Sequence, residues 1–203
     1  MRVIAAGCEY SGVSSLLRGL MEWGRNRGVN FHLDDHFSIP DQLHPGPEDQ
    51  QALVDMSAPL KERFQRLQLG YHVRVLRHYE HCLFSGFHIE EMVYGERYYY
   101  PGVATVDPMS YEPEIESDSI LVQLHASPEI IRARMAADPH EYNLISAEEI
   151  PHLQAEFAEL HRRSILSHKI EIDTSHLSPE QLLNTFFGRA EPHLAPRDLA
   201  LLR

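Results

Sequence analysis

Residues 2–20 read RVIAAGCEYSGVSSLLRGL and combine a short apolar run, two glycines and a leucine-rich segment. The apolar run RVIAA is typical of a strand that is buried on both faces. A helix is predicted from about Val13 to Gly24, because its leucines fall on one side of a helical turn. Gly7 and Gly12 lie between the two elements. The stretch therefore predicts a strand, a tight turn and a helix at the start of an α/β chain.

The spacing of the two glycines also fits an anion-binding loop. In the pattern G-x-x-x-x-G-K-[ST], backbone N–H groups and a helix N-terminus surround a phosphate, and the hydroxyl residue binds Mg²⁺. Here Val13 occupies the lysine position and Ser14 the hydroxyl position. An ordinary turn, with its glycines serving close packing, is the alternative. The residues predicted to contact a nucleotide are Gly7, Cys8, Glu9, Tyr10, Ser11, Gly12, Val13, Ser14 and Ser15.

Strand and helix patterns alternate along the rest of the chain. One long helix is predicted from Ser57, with apolar residues at intervals of three and four from Leu60 to Val75. Five strands that alternate with helices predict a parallel sheet covered on both faces. We therefore expect one α/β domain over residues 1–203, a three-layer sandwich with a five-stranded parallel sheet. The four further strands are predicted at VNFHL (29–33), HCLFSGFHI (81–89), SILVQLHA (119–126) and HKIEID (168–173).

Composition excludes several classes of partner. The chain has 203 residues and a formal net charge of −12, so it offers no basic face for nucleic acid. No apolar stretch approaches the roughly 18–20 residues of a membrane span, so no membrane partner is expected. The two cysteines have no metal-binding spacing and are expected to be reduced thiols of a cytoplasmic protein. A homodimer is compatible with the sequence.

The basic residues are unevenly divided between lysine and arginine. Of the 18 basic residues two are lysines, Lys61 and Lys169, so the other 16 are arginines. Arginine binds oxyanions through a planar fork. If a phosphate needs positive charge in this chain, arginine is expected to supply it.

Charged and aromatic residues follow the second and third predicted strands, where ligands of parallel sheets bind. Asp34 and Asp35 follow the second strand and could accept a proton or hold a metal-bound water. The alternative for them is a solvated turn. After the third strand, the segment EEMVYGERYYY (90–100) offers Glu91, or its neighbour Glu90, as base or metal partner and Arg97 as a phosphate contact. Aromatic packing beneath a loop is the alternative for this segment.

The fourth predicted strand is followed by a helix and a polar, proline-containing segment. The helix SPEIIRARM begins at Ser127, and the polar segment runs to about residue 150. This composition is typical of a lid that closes over phosphates, predicted at about 127–150. Arg132 and Arg134 are two residues apart, so only one of them need face a ligand.

Together these motifs resemble the P-loop kinases, specifically the nucleoside and nucleotide monophosphate kinases. The resemblance implies a phosphotransferase with ATP or GTP as donor, Mg²⁺ as cofactor, and a small molecule or nucleotide as acceptor. The matching pieces are GCEYSGVSS (7–15), DDHF (34–37), EEMVYGER (90–97), SPEIIRARM (127–135) and IEIDTSHLSPEQLL (170–183).

The resemblance also implies a role for each matching residue. Gly7, Gly12, Ser14 and Ser15 would hold phosphates, and Ser14 with Asp35 would hold Mg²⁺. The base would be Asp34, Asp35 or Glu91, and Arg97, Arg132 and Arg134 would clamp charge.

Val13 departs from the kinase pattern. Losing one charged contact in a dry site costs on the order of 10²–10³ in rate. Either an arginine replaces the lysine, or only binding persists in a regulatory protein with a relic loop.

The sulfotransferases are a second resemblance. EYSGVSSLLRGL (9–20) is similar to their phosphosulfate loop, which also lacks a lysine in this position. The fourth strand, however, ends in LHASPE (124–129), which is similar to the opening of a kinase lid. The kinase interpretation is therefore preferred.

Overall fold

The chain is built on five parallel strands, seen in a computed structural model that describes residues 1–35, 46–140 and 143–202, without the side chain of Asp35. The strands are β1 (Arg2–Ala6), β2 (His32–Asp35), β3 (Cys82–Ser85), β4 (Ser119–His125) and β5 (His168–Asp173). Their order in the sheet is β2-β3-β1-β4-β5, and every pairing is parallel. The five-stranded parallel sheet predicted from sequence is confirmed.

Helices cover both faces of this sheet. The described helices are α1 (Val13–Arg25), α2 (Pro47–Asp55), α3 (Ala58–His78), α4 (Phe87–Tyr94), α5 (Pro128–Ala137), α6 (Ile150–Arg163), α7 (Pro179–Ala190) and α8 (Pro196–Leu201). One buried apolar cluster joins the sheet to α3, α4 and α6, and a second joins its other face to α1 and α7. The three-layer sandwich is therefore confirmed as well.

The register places the loop after β1 in the middle of the sheet's carboxyl edge. Ala5 of β1 pairs with Ser85 at the end of β3, and Ala6 pairs with Gln123 of β4. Parallel sheets bind ligands beyond their carboxyl ends. The ends of β3 and β4 therefore flank the loop that the sequence singles out.

Two predicted strands differ from the observed ones. The second begins at His32 and runs through both aspartates, so Asp34 lies within the strand rather than in a turn after it. The third ends at Ser85, four residues before its predicted end, because Gly86 takes a left-handed backbone with φ of 77° and α4 follows at once. Glu90 and Glu91 consequently lie on a helix.

None of the helices in the described ranges has the length and apolar character needed to cross a membrane. Cys8 and Cys82 are both buried and carry free thiols.

Candidate functional site

A cavity of about 580 Å³ opens above the loop that follows β1. Its volume lies within the range of about 300–1,000 Å³ that is usual for small-molecule sites. Its walls come from the loop, α1, the ends of β3 and α5, and the connection between β5 and α7. The described residues that line it are Gly7, Cys8, Glu9, Tyr10, Gly12, Val13, Ser14, Ser15, Arg18, Ser85, Glu90, Tyr94, Arg134, Ala137, Asp138, His140, Thr174, Leu177, Pro179 and Leu182.

The main chain at the start of α1 forms part of the cavity wall. Gly12 is the N-cap residue of α1 with φ of 105°, and within the described chain no side chain caps this helix. The first intrahelical bond runs from the Leu16 amide to the Gly12 carbonyl, so the preceding amides have no helical acceptor. These amides and the positive end of the helix dipole suit an anion.

Gly7 allows the loop to approach the sheet closely. A Cβ atom at this position would lie 2.3 Å from the Leu124 carbonyl oxygen and 2.5 Å from Ser11 Oγ. Any other residue would push the loop away from β4. Glycine at position 7 is therefore required for the observed loop position.

Arg134 and Thr174 hold the outer side of the loop. Arg134 Nη1 donates to the Tyr10 carbonyl at 2.8 Å, and Nη2 donates to the Thr174 carbonyl at 2.7 Å. Thr174 Oγ1 donates to the Ser11 carbonyl at 2.7 Å. The guanidinium of Arg134 thus lines the cavity and also holds the Tyr10 carbonyl of the loop.

Tyr94 lies against the inner side of the loop. Its hydroxyl oxygen accepts a hydrogen bond from the Glu9 amide at 3.2 Å. Burial raises the pKa of Tyr94 well above its ordinary value, and burial also raises the pKa of the Cys8 thiol to about 12. The raised pKa values favour the neutral form of both groups at physiological pH and disfavour the Cys8 thiolate, which is the nucleophilic form of cysteine.

Two non-glycine residues beside the cavity have a left-handed backbone. Tyr10 has φ of 64° and Phe87 has φ of 50°, and they follow β1 and β3. Such conformations cost about 1–3 kcal/mol each and cluster at functional sites. Tyr10 is held by stacking on His140 at 4.1 Å and by a 2.9 Å hydrogen bond from the His140 amide to its hydroxyl.

The structure brings Glu90, rather than Glu91, to the cavity. The Glu90 carboxylate folds back over the start of α4, where a Cβ atom on Gly86 would meet it at 2.1 Å. Glu91 is 3 % exposed and accepts a hydrogen bond from the Tyr100 hydroxyl. Because the two glutamates are adjacent on a helix, they point in directions about 100° apart.

The two aspartates of β2 have different positions. Asp34 is buried beneath α3, and its Oδ2 lies 3.5 Å from His72 Nε2 and 3.7 Å from His32 Nε2. It is not among the described lining residues of the cavity. Asp35 pairs in register with Ser85 and so ends its strand at the cavity edge, while its side chain falls outside the described part of the chain.

Two of the predicted arginines lie away from the cavity. Arg132 is 42 % exposed and donates from Nε to the Ala147 carbonyl. Arg97 forms an ion pair with Glu156 at 3.0 Å. Arg134 is the predicted arginine that the structure does bring to the loop.

Sequence reasoning did not single out several lining residues, namely Arg18, Ser85, His140 and Thr174. The sequence pattern could have pointed to two of them. Arg18 lies one helical turn after Ser14, and Thr174 stands in the IEIDTS segment that resembles kinases. Ser85 depends on where β3 ends, and His140 on how the segment after α5 folds, so neither was visible in the pattern.

The oxygen atoms at the cavity suit Mg²⁺. Ser14, Ser85 and Glu90 all line it and offer hydroxyl or carboxylate oxygens, which Mg²⁺ prefers. Across the described ranges, no group of three or more histidine, cysteine, aspartate or glutamate side chains is placed to hold a metal ion. Mg²⁺ usually binds through one or two protein ligands together with phosphate oxygens and water.

By sequence, the chain matches no protein-family model and no curated protein. By structure, it is similar to YorR from Bacillus subtilis, which was solved in complex with phosphorylated GDP. The two are 18% identical over 96% of this chain and 99% of that chain, with a TM-score of 0.63. It is also similar to deoxyadenosine kinase from M. mycoides, at 14% identity over 95% of this chain and 99% of that chain, with a TM-score of 0.60.

Thymidylate kinase from Candida albicans is a third structural neighbour, at 12% identity over 94% of this chain and 91% of that chain, with a TM-score of 0.60. The chain has a P-loop kinase-like fold. At these sequence identities the likeness shows the fold alone. This shared fold confirms the kinase-like fold that the motifs predicted. The activity of this chain has to be argued from its own site.

Proposed function

We propose that the chain is a kinase-like phosphotransferase that uses ATP or GTP with Mg²⁺ and acts on a small-molecule or nucleotide acceptor. The observation that carries the proposal is the open cavity at the start of α1, lined by the loop from Gly7 to Ser15 in a P-loop kinase-like fold. Main-chain amides at a helix N-terminus bind phosphate without help from a particular side chain. The missing lysine therefore does not remove the binding surface.

Each part of the cavity has a place in this reaction. The amides from Gly12 to Ser15 would bind the donor phosphates, and Arg134 would hold the loop in shape around them. Ser14, together with the predicted ligand Asp35 or with Glu90, would hold Mg²⁺. When bound, Mg²⁺ neutralises charge on the phosphates that react.

The acceptor would lie between the ends of β2 and β3. Asp35 ends β2 beside Ser85, and Glu90 lies on the same side of the cavity. We propose that the one of these two carboxylates that does not bind Mg²⁺ is the base that takes the acceptor proton. Asp34 and Glu91, which are buried, would support that wall of the site.

The segment predicted as a lid contacts the loop between β1 and α1. His140 stacks on Tyr10, and the Leu144 amide lies 3.4 Å from both carboxylate oxygens of Glu9. Residues 141 and 142 lie outside the described part of the chain. We propose that residues 127–150 cover the loop and exclude water from the reaction, which takes place in the cytoplasm.

A phosphotransfer assay tests the proposal. The chain is incubated with ATP or GTP, Mg²⁺ and a panel of nucleosides and nucleoside monophosphates, and phosphorylated products are identified by mass spectrometry. Ser14→Ala should lower transfer about 10-fold or more, because it removes a hydroxyl from the metal site. Ser57→Ala is the matched control, since Ser57 precedes α3, makes no capping hydrogen bond there and lies outside the cavity.

The same panel separates the two alternatives. Nucleotide binding without transfer to any acceptor would favour a regulatory protein with a relic loop. Binding of adenosine 3′,5′-bisphosphate that does not depend on Mg²⁺ would favour a sulfotransferase. Either result would overturn the kinase proposal.

A further inference from the structure

The cavity walls carry more negative than positive side chains. Glu9, Glu90 and Asp138 contribute carboxylates, while Arg18 and Arg134 contribute the cations among the described lining residues. A nucleoside triphosphate would add several negative charges to this surface. A cation with donors free for the ligand would therefore favour nucleotide binding in addition to any Mg²⁺.

Arg134 already gives three of its five N–H donors to the protein. Both of its terminal nitrogens donate to the loop and to Thr174, at 2.7–3.1 Å. Arg18 has no hydrogen bond or ion pair within the described chain, and its side chain is exposed. It is thus the lining cation whose donors are uncommitted.

The position of Arg18 on α1 directs its side chain toward the loop between β1 and α1. It lies four residues after Ser14 and three after Ser15, so all three share one face of the helix. Long side chains on helices lean toward the N-terminus, which brings the guanidinium over the first turn of α1. Arg18 also lines a second cavity of about 400 Å³ between α1 and α7, so it stands where the two cavities meet.

The two lysines of the chain cannot fill this role. Lys169 Nζ donates to three carbonyls at the end of α6, at 2.8–3.1 Å. Lys61 lies on α3, which covers the opposite face of the sheet from α1. Val13, at the usual lysine position, packs against the apolar cluster beside α1.

We propose that Arg18 supplies the cation that the loop lacks at Val13, binding the terminal phosphate oxygens of a nucleoside di- or triphosphate through its planar fork. This inference rests on the proposed function and adds to it the residue that replaces the lysine. Arg18 reaches the phosphates from the flank of α1, whereas a lysine at position 13 would reach them from within the loop.

Calorimetric titration with Mg–ATP and with inorganic tripolyphosphate tests the role of Arg18. Arg18→Ala should weaken both affinities about 10- to 100-fold, and Arg18→Lys should weaken them less, because a charged contact is lost in the first case and kept in the second. Arg25→Ala is the matched control, since Arg25 is an exposed arginine at the end of α1, outside the 580 Å³ cavity. Its affinities should equal those of the wild type.

A second-site variant distinguishes this role from a structural one. Val13→Lys combined with Arg18→Ala should recover most of the lost affinity, because it restores a cation beside the phosphates. If Arg18→Ala weakened binding only by disturbing the packing of α1, a lysine at position 13 would not restore it. If the wild type binds both probes and Arg18→Ala binds them equally well, the inference is overturned and the proposed function stands. If the wild type binds neither probe, both are overturned.

Discussion

Gly7 and Gly12 set the shape of the loop between β1 and α1 for different reasons. Gly7 is needed for space, because the Leu124 carbonyl lies where a side chain would begin. Gly12 is needed for its backbone, because φ of 105° is unfavourable for any residue with a side chain. The Gly12 constraint is local, whereas the Gly7 constraint depends on how closely the loop approaches β4. The glycine spacing predicts the turn but not the contact with Leu124.

Gly7→Ala should therefore displace the loop. The new methyl group would overlap a main-chain oxygen at 2.3 Å, which a rotamer change cannot relieve. We expect a loss of about 1–3 kcal/mol in unfolding free energy by urea denaturation, together with loss of nucleotide binding. Gly70→Ala in α3 is the control, because no atom lies within 4 Å of its added Cβ. It should leave stability equal or raise it by about 0.5–1 kcal/mol; equal stability of both variants would contradict the steric argument.

Arg134 stabilises the same loop through its carbonyl oxygens. Arg134→Ala should lower the melting temperature by about 2–6 °C, because it removes charge-assisted hydrogen bonds to Tyr10 and Thr174. Arg132→Ala, two residues away on the same helix, removes an exposed side chain and should change the melting temperature by less than about 2 °C. Differential scanning fluorimetry of the two variants measures the difference, and equal shifts would show that Arg134 does not brace the loop.

At the scale of elements, α3 shows where sequence patterns fail. Its apolar repeat from Leu60 to Val75 correctly predicts a helix, yet Leu60 and Leu67 are 58 % and 67 % exposed. The helix instead buries Leu69 and Leu76 together with a row of polar side chains, Glu62, Gln65, Gln68 and His72. Two of these side chains meet residues of other segments: Thr105 donates to Glu62, and His72 lies 3.5 Å from Asp34 of β2. Such partners are not visible in a local pattern.

Glu112 joins three elements and makes their contact dependent on pH. It lies in the 3₁₀ turn Pro108–Glu114, contacts His88 Nε2 at 2.9 Å and accepts a hydrogen bond from the Ile165 amide at 2.8 Å. Burial favours the neutral acid, but the hydrogen bonds from His88, Ser164 and Ile165 prevail and lower the pKa of Glu112. The stability it contributes is therefore complete above its ordinary pKa and is lost as pH falls through the lowered value.

Glu112→Gln should consequently destabilise the chain by about 1–3 kcal/mol at neutral pH. The difference from the wild type should begin to shrink as pH falls below the ordinary pKa of glutamate, and should disappear once pH lies below the lowered pKa, where the folded wild-type carboxyl is protonated too. Urea denaturation at neutral pH and at acidic pH measures this difference in unfolding free energy. Glu114→Gln in the same turn alters a carboxylate that is 55 % exposed and should have little effect at either pH. A difference for Glu112→Gln that stays constant with pH would refute the assignment.

At the scale of the whole molecule, the sequence predicted the three layers of the fold better than the residues that line the candidate site. Central strands of a parallel sheet are buried on both faces, so largely apolar runs such as RVIAA and SILVQLH identify the sheet. The structural neighbours YorR and deoxyadenosine kinase have a similar fold. The identity of the lining carboxylate, Glu90 rather than Glu91, depends on the point at which β3 ends and α4 begins. Gly86 marks that point in the structure, but the strand-like pattern of residues 81–89 continues past it.

The charge of the whole chain predicts that nucleotide binding depends on a divalent cation. The chain carries a net charge of −12, and carboxylates outnumber arginines in the described cavity wall. Free ATP should therefore be repelled, whereas Mg–ATP brings its own neutralising charge.

A calorimetric titration of the wild-type chain with ATP and with GTP, each with Mg²⁺ and with a chelator, measures this directly. We expect saturable binding of at least one nucleotide with Mg²⁺, weakened at least about 10-fold by the chelator. If neither nucleotide binds under either condition, the amides at the start of α1 do not form a phosphate site, and the kinase proposal fails with them.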